Sequence, residues 1–98
     1  GFASPCNGTL IVDSGAERAI TKSGRSLLPA GVLDRQGSFA VGDVVRVENI
    51  HSAEVARGLT RYASDEIDRV RGKSSPDVER LLGRPALEVI HRDDLVLI

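Results

Sequence analysis

Gly24-Arg25-Ser26-Leu27-Leu28-Pro29-Ala30-Gly31-Val32 packs a helix stop, a short apolar segment and a turn set by proline and glycine into nine residues. A flexible linker has no need of that order, whereas a fitted corner between packed elements does. Gly24 supplies the positive φ that lets a helix end. Pro29 and Gly31 bend the chain between two short strand pieces, Ser26 to Leu28 and Gly31 to Leu33, which suits the corner of a barrel better than a flat sheet.

Outward from that corner, short apolar runs alternate with marked turns. Gly1 to Gly8, with Pro5 and Asn7-Gly8, reads as an incoming linker, and order is predicted from Thr9. Thr9-Leu10-Ile11-Val12-Asp13 is β-branched and apolar, which predicts a first strand ending at Asp13. Ser14-Gly15-Ala16-Glu17 has capping-box spacing, so Ser14 is expected to cap a short helix with a narrow apolar face of Ala16, Ala19 and Ile20. Past the corner, Phe39 and Val41 are placed on one face ahead of the turn residues Gly42-Asp43. Val44 to Glu48 continues as a strand, with Val45 and Val47 on one side and Arg46 and Glu48 on the other. Asn49 to Ser52 predicts a hairpin turn and Val55 to Tyr62 the returning strand, with Gly58 marking a bulge or a close approach.

Two helices with explicit boundaries follow. Ser64 is expected to cap Asp65 to Arg71, whose acids lie in the first turn and whose bases lie in the last, as the helix dipole favours, ahead of Gly72. Ser75-Pro76 opens the next, with Val78, Leu81 and Leu82 on an i, i+3, i+4 face and Gly83 as its stop. Leu87 to Ile90 and Leu95 to Ile98 read as two closing strands around His91-Arg92-Asp93-Asp94. The whole order predicts a mainly β (α+β) domain, a pseudo-barrel of short mixed strands with about three short helices.

The 98 residues, 41% hydrophobic and 28% charged, suit one compact domain. Aromatic residues make up only 3%, so the core must be filled mainly by Val, Leu, Ile and Ala, with Phe39 and Tyr62 among them. A net charge of -1 gives no global support for gripping a polyanion, although eleven of the thirteen basic residues are Arg, the better bidentate donor. The single cysteine, Cys6, excludes an internal disulfide and a cysteine zinc cluster, in keeping with a reducing cytoplasm. Apolar runs such as Leu95 to Ile98 are too short to cross a bilayer and no signal-peptide pattern opens the sequence, so a cytoplasmic chain without a membrane partner is expected. No methionine occurs, which leads to the expectation of a piece of a longer protein.

Chemistry-bearing residues are few. Neither GxxxxGK[ST] nor GxGxxG occurs, so no nucleotide loop is expected. His51 with Glu54 could ligate a metal, and His91 with Asp93 or Asp94 could be an acid/base pair, but both groups lie near predicted turns, and zinc needs three or four converging ligands. Cys6 has nothing local to activate it as a nucleophile. Asp13 and Asp43 are expected to cap turn amides, and Arg92 to form a surface ion pair with Asp93 or Asp94. Base stacking on RNA needs exposed aromatics that this chain lacks. A shape-reading surface could instead use Lys22, Arg25 and Arg35 with backbone amides around Gly24 and Gly31, against the plainer reading of a solvated charged rim.

Six separated segments carry a family resemblance. They are Leu10-Ile11-Val12-Asp13-x-Gly15-Ala16, Ser26-Leu27-Leu28-Pro29-x-Gly31-Val32, Gly37-x-Phe39-x-x-Gly42-Asp43-x-Val45, Ala56-Arg57-Gly58-Leu59-x-x-Tyr62, Leu82-Gly83 and Glu88 to Val96. In this order and spacing they resemble the PUA domain, a small barrel found on RNA-modifying enzymes. Ala56-Arg57-Gly58-Leu59 and Val89-Ile90-His91-Arg92-Asp93 are similar to one branch in particular, the C-terminal PUA domain of bacterial glutamate 5-kinases. Arg84 stands where an aromatic is expected after Leu82-Gly83, and Ser52 where a turn glycine is expected.

The resemblance implies a PUA domain over 9–98 and, over 1–8, a linker from an N-terminal amino-acid-kinase domain of the same chain. It implies an accessory domain, regulatory or assembling, of an enzyme that moves the γ-phosphate of ATP onto the side-chain carboxylate of glutamate, the first committed step of proline synthesis. ATP and magnesium would be held by the kinase domain of a homo-oligomeric parent. No catalytic, cofactor-binding or metal residue is placed on this chain. Structured RNA is the alternative partner. In the wider family, RNA is contacted by the first helix and the following strand, which implies a nucleic-acid surface of Lys22, Gly24, Arg25, Ser26, Leu27, Leu28, Gly31 and Val32, with Arg35.

Overall fold

The β-branched run at Thr9-Leu10-Ile11-Val12 lies inside the sheet rather than at its rim, because both of its edges find partners. The computed structural model describes residues 6–98, so residues 1–5 of the expected linker, Pro5 included, lie outside the described residues. β1 (Gly8–Val12) is followed by α1 (Ser14–Lys22), a 3-10 turn at Pro29–Gly31 and β2 (Val32–Gly37). Then come β3 (Val44–Glu48), β4 (Glu54–Leu59), α2 (Ser64–Val70), α3 (Ser75–Leu82), a 3-10 turn at Arg92–Asp94 and β5 (Leu95–Leu97). The sheet order is β2-β1-β3-β4-β5. The β1/β3 pairing is parallel, and the other three are antiparallel.

The two edge strands do not meet, yet the segments leading into them do. Leu27 and Ile90 form an isolated antiparallel bridge. Leu27 N–H donates to the Ile90 carbonyl at 2.9 Å and Val89 N–H to the Leu27 carbonyl at 2.7 Å. This clasp draws the open sheet into a pseudo-barrel, with the three helices beside it. Leu10, Val12, Val45, Val47 and Ala56 supply its inner face, and Ile20, Leu27, Val32, Phe39, Tyr62, Ile67, Val70, Val78, Val89 and Ile90 complete the core.

Several boundaries depart from the sequence reading, each for a visible reason. Asp13, not Ser14, caps α1: its carboxylate accepts from Ala16 N–H at 2.7 Å. Glu17 does not fold back to close a capping box, because its Oε2 accepts from Asn49 Nδ2 at 3.1 Å. Ser64 likewise does not cap α2. Its hydroxyl accepts from Phe39 N–H at 3.2 Å, and Ala63, one residue earlier, donates its N–H to Glu66 Oε1 at 2.9 Å. Ser26 to Leu28 and Leu87 to Ile90 are not strands. Pro29 ends pairing straight after the clasp, and both backbone groups of Leu87 are taken by the Tyr62 hydroxyl. Gly31 belongs to the 3-10 turn and not to a strand piece with Leu33. Val41 is 62% exposed in a turn, away from buried Phe39, and Leu81 is 41% exposed although Val78 beside it is buried.

Other turn residues sit as read. Gly24 and Gly83 hold φ of 61° and 68° at helix ends. At the β3/β4 turn Asn49 Oδ1 accepts from the N–H groups of His51 and Ala53. Ser52, where a glycine is expected, holds the left-handed φ of 63°. Ser52→Gly is therefore expected to stabilise the fold by about 1 kcal/mol. The readout is a urea midpoint raised at constant slope; a lowered midpoint would show that the serine relieves its own strain.

Candidate functional site

Helix α1 and the corner after it enclose a cleft. The cleft, about 730 Å³, is lined by Asp13, Ala16 and Ala19 on one wall, by Arg25, Ser26, Leu28, Ala30 and Gly31 at the corner, and by Glu88, His91 and Arg92 opposite. Its shape follows from two constraints. Gly31 approaches α1 so closely that a Cβ there would collide with the Ala16 methyl, which fixes the corner against the helix. The Leu27/Ile90 clasp brings the distant His91-Arg92 pair alongside Ser26, whose hydroxyl accepts from Arg92 N–H at 2.8 Å.

The nine residues implied as a nucleic-acid surface divide into four groups. Arg25, Ser26, Leu28 and Gly31 line the cleft. Leu27 and Val32 are buried and shape it from behind. Lys22 and Gly24 are exposed at the end of α1, where Lys22 borders a shallow groove with Ser14, Glu17, Arg18 and Thr21. Arg35 is turned away on β2. Its guanidinium grips Asp68 of α2 through two bonds of 2.9 and 2.7 Å and reaches the Gly37 carbonyl at 2.6 Å. That hydrogen bonding holds the Asp68 carboxyl below the usual carboxylate range and raises the Arg35 pKa. The contribution of the pair is thus present above the ordinary carboxylate range and is lost as pH falls through the lowered value.

His91, Arg92, Glu88, Asp13 and the three alanines of the cleft were not in the sequence-derived surface. No local signal places Glu88, His91 and Arg92 there, because a single bridge between distant segments has no periodicity. Arg92 forms no ion pair with Asp93 or Asp94; among the described residues neither Arg25 nor Arg92 has a carboxylate partner. His91 Nδ1 accepts from Asp93 N–H at 3.1 Å, so the imidazole caps the 3-10 turn. Glu54 is engaged by Arg57, whose hydrogen bond holds the carboxyl below its ordinary value, and exposed His51 lies in the adjoining turn. Asp43 caps Ala40 N–H at 2.8 Å, as expected of a turn aspartate. Among the described residues no three His, Cys, Asp or Glu side chains converge as metal ligands. No helix of the described chain is long and apolar enough to cross a membrane.

A clasped five-stranded mixed sheet with one helix inserted after its first strand defines the class: the chain belongs to the PUA domain family, whose model matches residues 8–82. Its relatives are kinases. It is 44% identical over 99% of its length to the glutamate 5-kinase of Caldanaerobacter subterraneus, and 50% identical over 92% to that of Rhodopseudomonas palustris. The chain spans only 26% and 24% of those two proteins. Among solved structures, a PUA domain of Aeropyrum pernix in a tartrate complex superposes with a TM-score of 0.62 at 27% identity, over 90% of this chain and 45% of that one. The archaeal box H/ACA Nop10-Cbf5 complex gives 0.59 at 18% identity over 88% of this chain and 25% of that one, a likeness of fold alone.

Proposed function

We propose that this PUA domain, residues 9–98, is an accessory part, regulatory or assembling, of a glutamate 5-kinase that phosphorylates L-glutamate to glutamyl 5-phosphate in proline biosynthesis. The observation that carries the reading is identity of 44% to 50% with such kinases over nearly the whole chain. ATP, magnesium and glutamate then belong to an amino-acid-kinase domain preceding this one in a cytoplasmic homo-oligomer. The domain acts on that reaction from outside its active site. Deleting 9–98 from the full-length parent is expected to leave basal glutamate phosphorylation intact while altering proline feedback, metal dependence or oligomeric state. Deletion that changes none of the three would refute the accessory role.

A second reading, an RNA-binding module, is favoured by one observation: Arg25 lines the cleft beside Ser26, Leu28 and Gly31, with Lys22 and Gly24 exposed at the adjacent end of α1. Titration with a structured RNA at moderate salt should then show binding that weakens in Lys22→Ala and Arg25→Ala chains. Unchanged affinity in both variants, or no binding by the parent, would remove this reading.

A further inference from the structure

The cleft brings together two guanidinium-bearing residues from opposite ends of the sequence. Beyond the Leu27/Ile90 bridge Arg25 and Arg92 both line the cleft, and the bond from Arg92 N–H to the Ser26 hydroxyl holds the two segments together there. Two like charges lining one cleft create a positive potential that an anion answers. The two acids on the cleft walls are committed elsewhere: Asp13 caps α1, and Glu88 lies 3.6 Å from Arg61. Much of the remaining lining is aliphatic, with Ala16, Ala19 and Ala30 along it and Leu28, 50% exposed, as its lip.

We propose that this cleft docks an extended acidic segment of a partner polypeptide, its carboxylates on Arg25 and Arg92 and an aliphatic side chain against Ala16, Ala19 and Leu28. Guanidinium and carboxylate match through paired N–H···O bonds, and the volume, about 730 Å³, accommodates a few peptide residues. The same lining disfavours nucleic acid. Among the described residues no aromatic side chain borders the cleft for a base to stack on, Phe39 and Tyr62 both being buried. The inference goes beyond the accessory-domain reading and does not rest on it.

The test is an amide-resolved NMR titration of the chain with three probes: acetyl-Glu-Leu-Glu-Val-Asp-amide, its Gln/Asn counterpart, and an RNA hairpin. The acidic peptide is expected to shift Ala16, Ala19, Arg25, Leu28 and Arg92 saturably, and the neutral one to bind about tenfold more weakly. Arg25→Gln with Arg92→Gln should weaken the acidic peptide about tenfold at an unchanged thermal midpoint, and Leu28→Ser about threefold. Equal binding of the neutral peptide, indifference to the double substitution, no peptide binding at millimolar concentration, or an RNA hairpin occupying the cleft in place of the peptide would each overturn the proposal.

Discussion

Tyr62→Ala is expected to destabilise the domain by about 3–5 kcal/mol. A domain of this size has a total stability of about 5–15 kcal/mol, so the variant should lose a large share of it. The ring is fully buried, and its hydroxyl both accepts from Leu87 N–H at 2.9 Å and donates to the Leu87 carbonyl at 3.0 Å. One side chain therefore fills the core and satisfies a backbone segment that lacks a strand partner. Tyr62→Phe separates the two roles: it keeps the ring, strands both Leu87 groups, and should cost about 1–3 kcal/mol. Equilibrium urea unfolding reads both. A loss below 1 kcal/mol for the alanine variant would mean that the core collapses around the vacancy. Arg84, standing where an aromatic was expected, caps this ring at 5.9 Å from its centroid and binds Glu66 at 2.6 Å. A cation over the ring face replaces a second aromatic there.

Gly58→Ala should cost about 2–3 kcal/mol, large for one added methyl. A Cβ at this position would lie 2.6 Å from Ile90 Cγ2 and 2.8 Å from the Asp94 carbonyl oxygen. The second neighbour is backbone and cannot swing aside, so β4 and the segment after the clasp must separate. His91 and Arg92 would move with that segment, and the cleft should open. Gly15→Ala is the matched control. Its new methyl meets only Asp13 Oδ1 at 3.4 Å, and alanine in a helix gains about 0.5–1 kcal/mol over glycine. Thermal unfolding of the two variants should shift in opposite directions; a neutral Gly58→Ala would show that β4 and the Ile90 segment are not in tight contact.

Strong alternation and explicit stops made most of the elements legible. Val45 and Val47 are buried on one face of β3, as period two requires, and Gly24, Gly72 and Gly83 take the positive φ that closes a helix. Gly58 marks a close approach, as read, while the bulge in that hairpin lies between Val47 and Glu48. Caps were misassigned where two polar residues adjoin. Asp13 outcompetes Ser14 because its longer reach meets Ala16 N–H, and Ser64 is drawn to Phe39, an interaction no local pattern encodes. Half of the cleft was legible from the corner at Arg25 to Gly31. The wall from Glu88 to Arg92 arrives through a tertiary pairing of one residue on each side, which leaves no repeat to detect. Arg35 was assigned by charge and proximity in sequence, but strand geometry points it to Asp68.

The bond from Arg92 to Ser26 joins positions 66 apart, and the Leu27/Ile90 bridge beside it spans almost as much chain. Closing so long a loop exacts its entropy before any contact rewards it, so the ring shuts late. During synthesis, residues up to the end of α3 can collapse while the seam next to α1 still gapes toward solvent. A chain that ends before Ile90 is expected to leave its Leu27 flank unshielded, which limited proteolysis would read as faster cleavage beside α1 than in the intact domain.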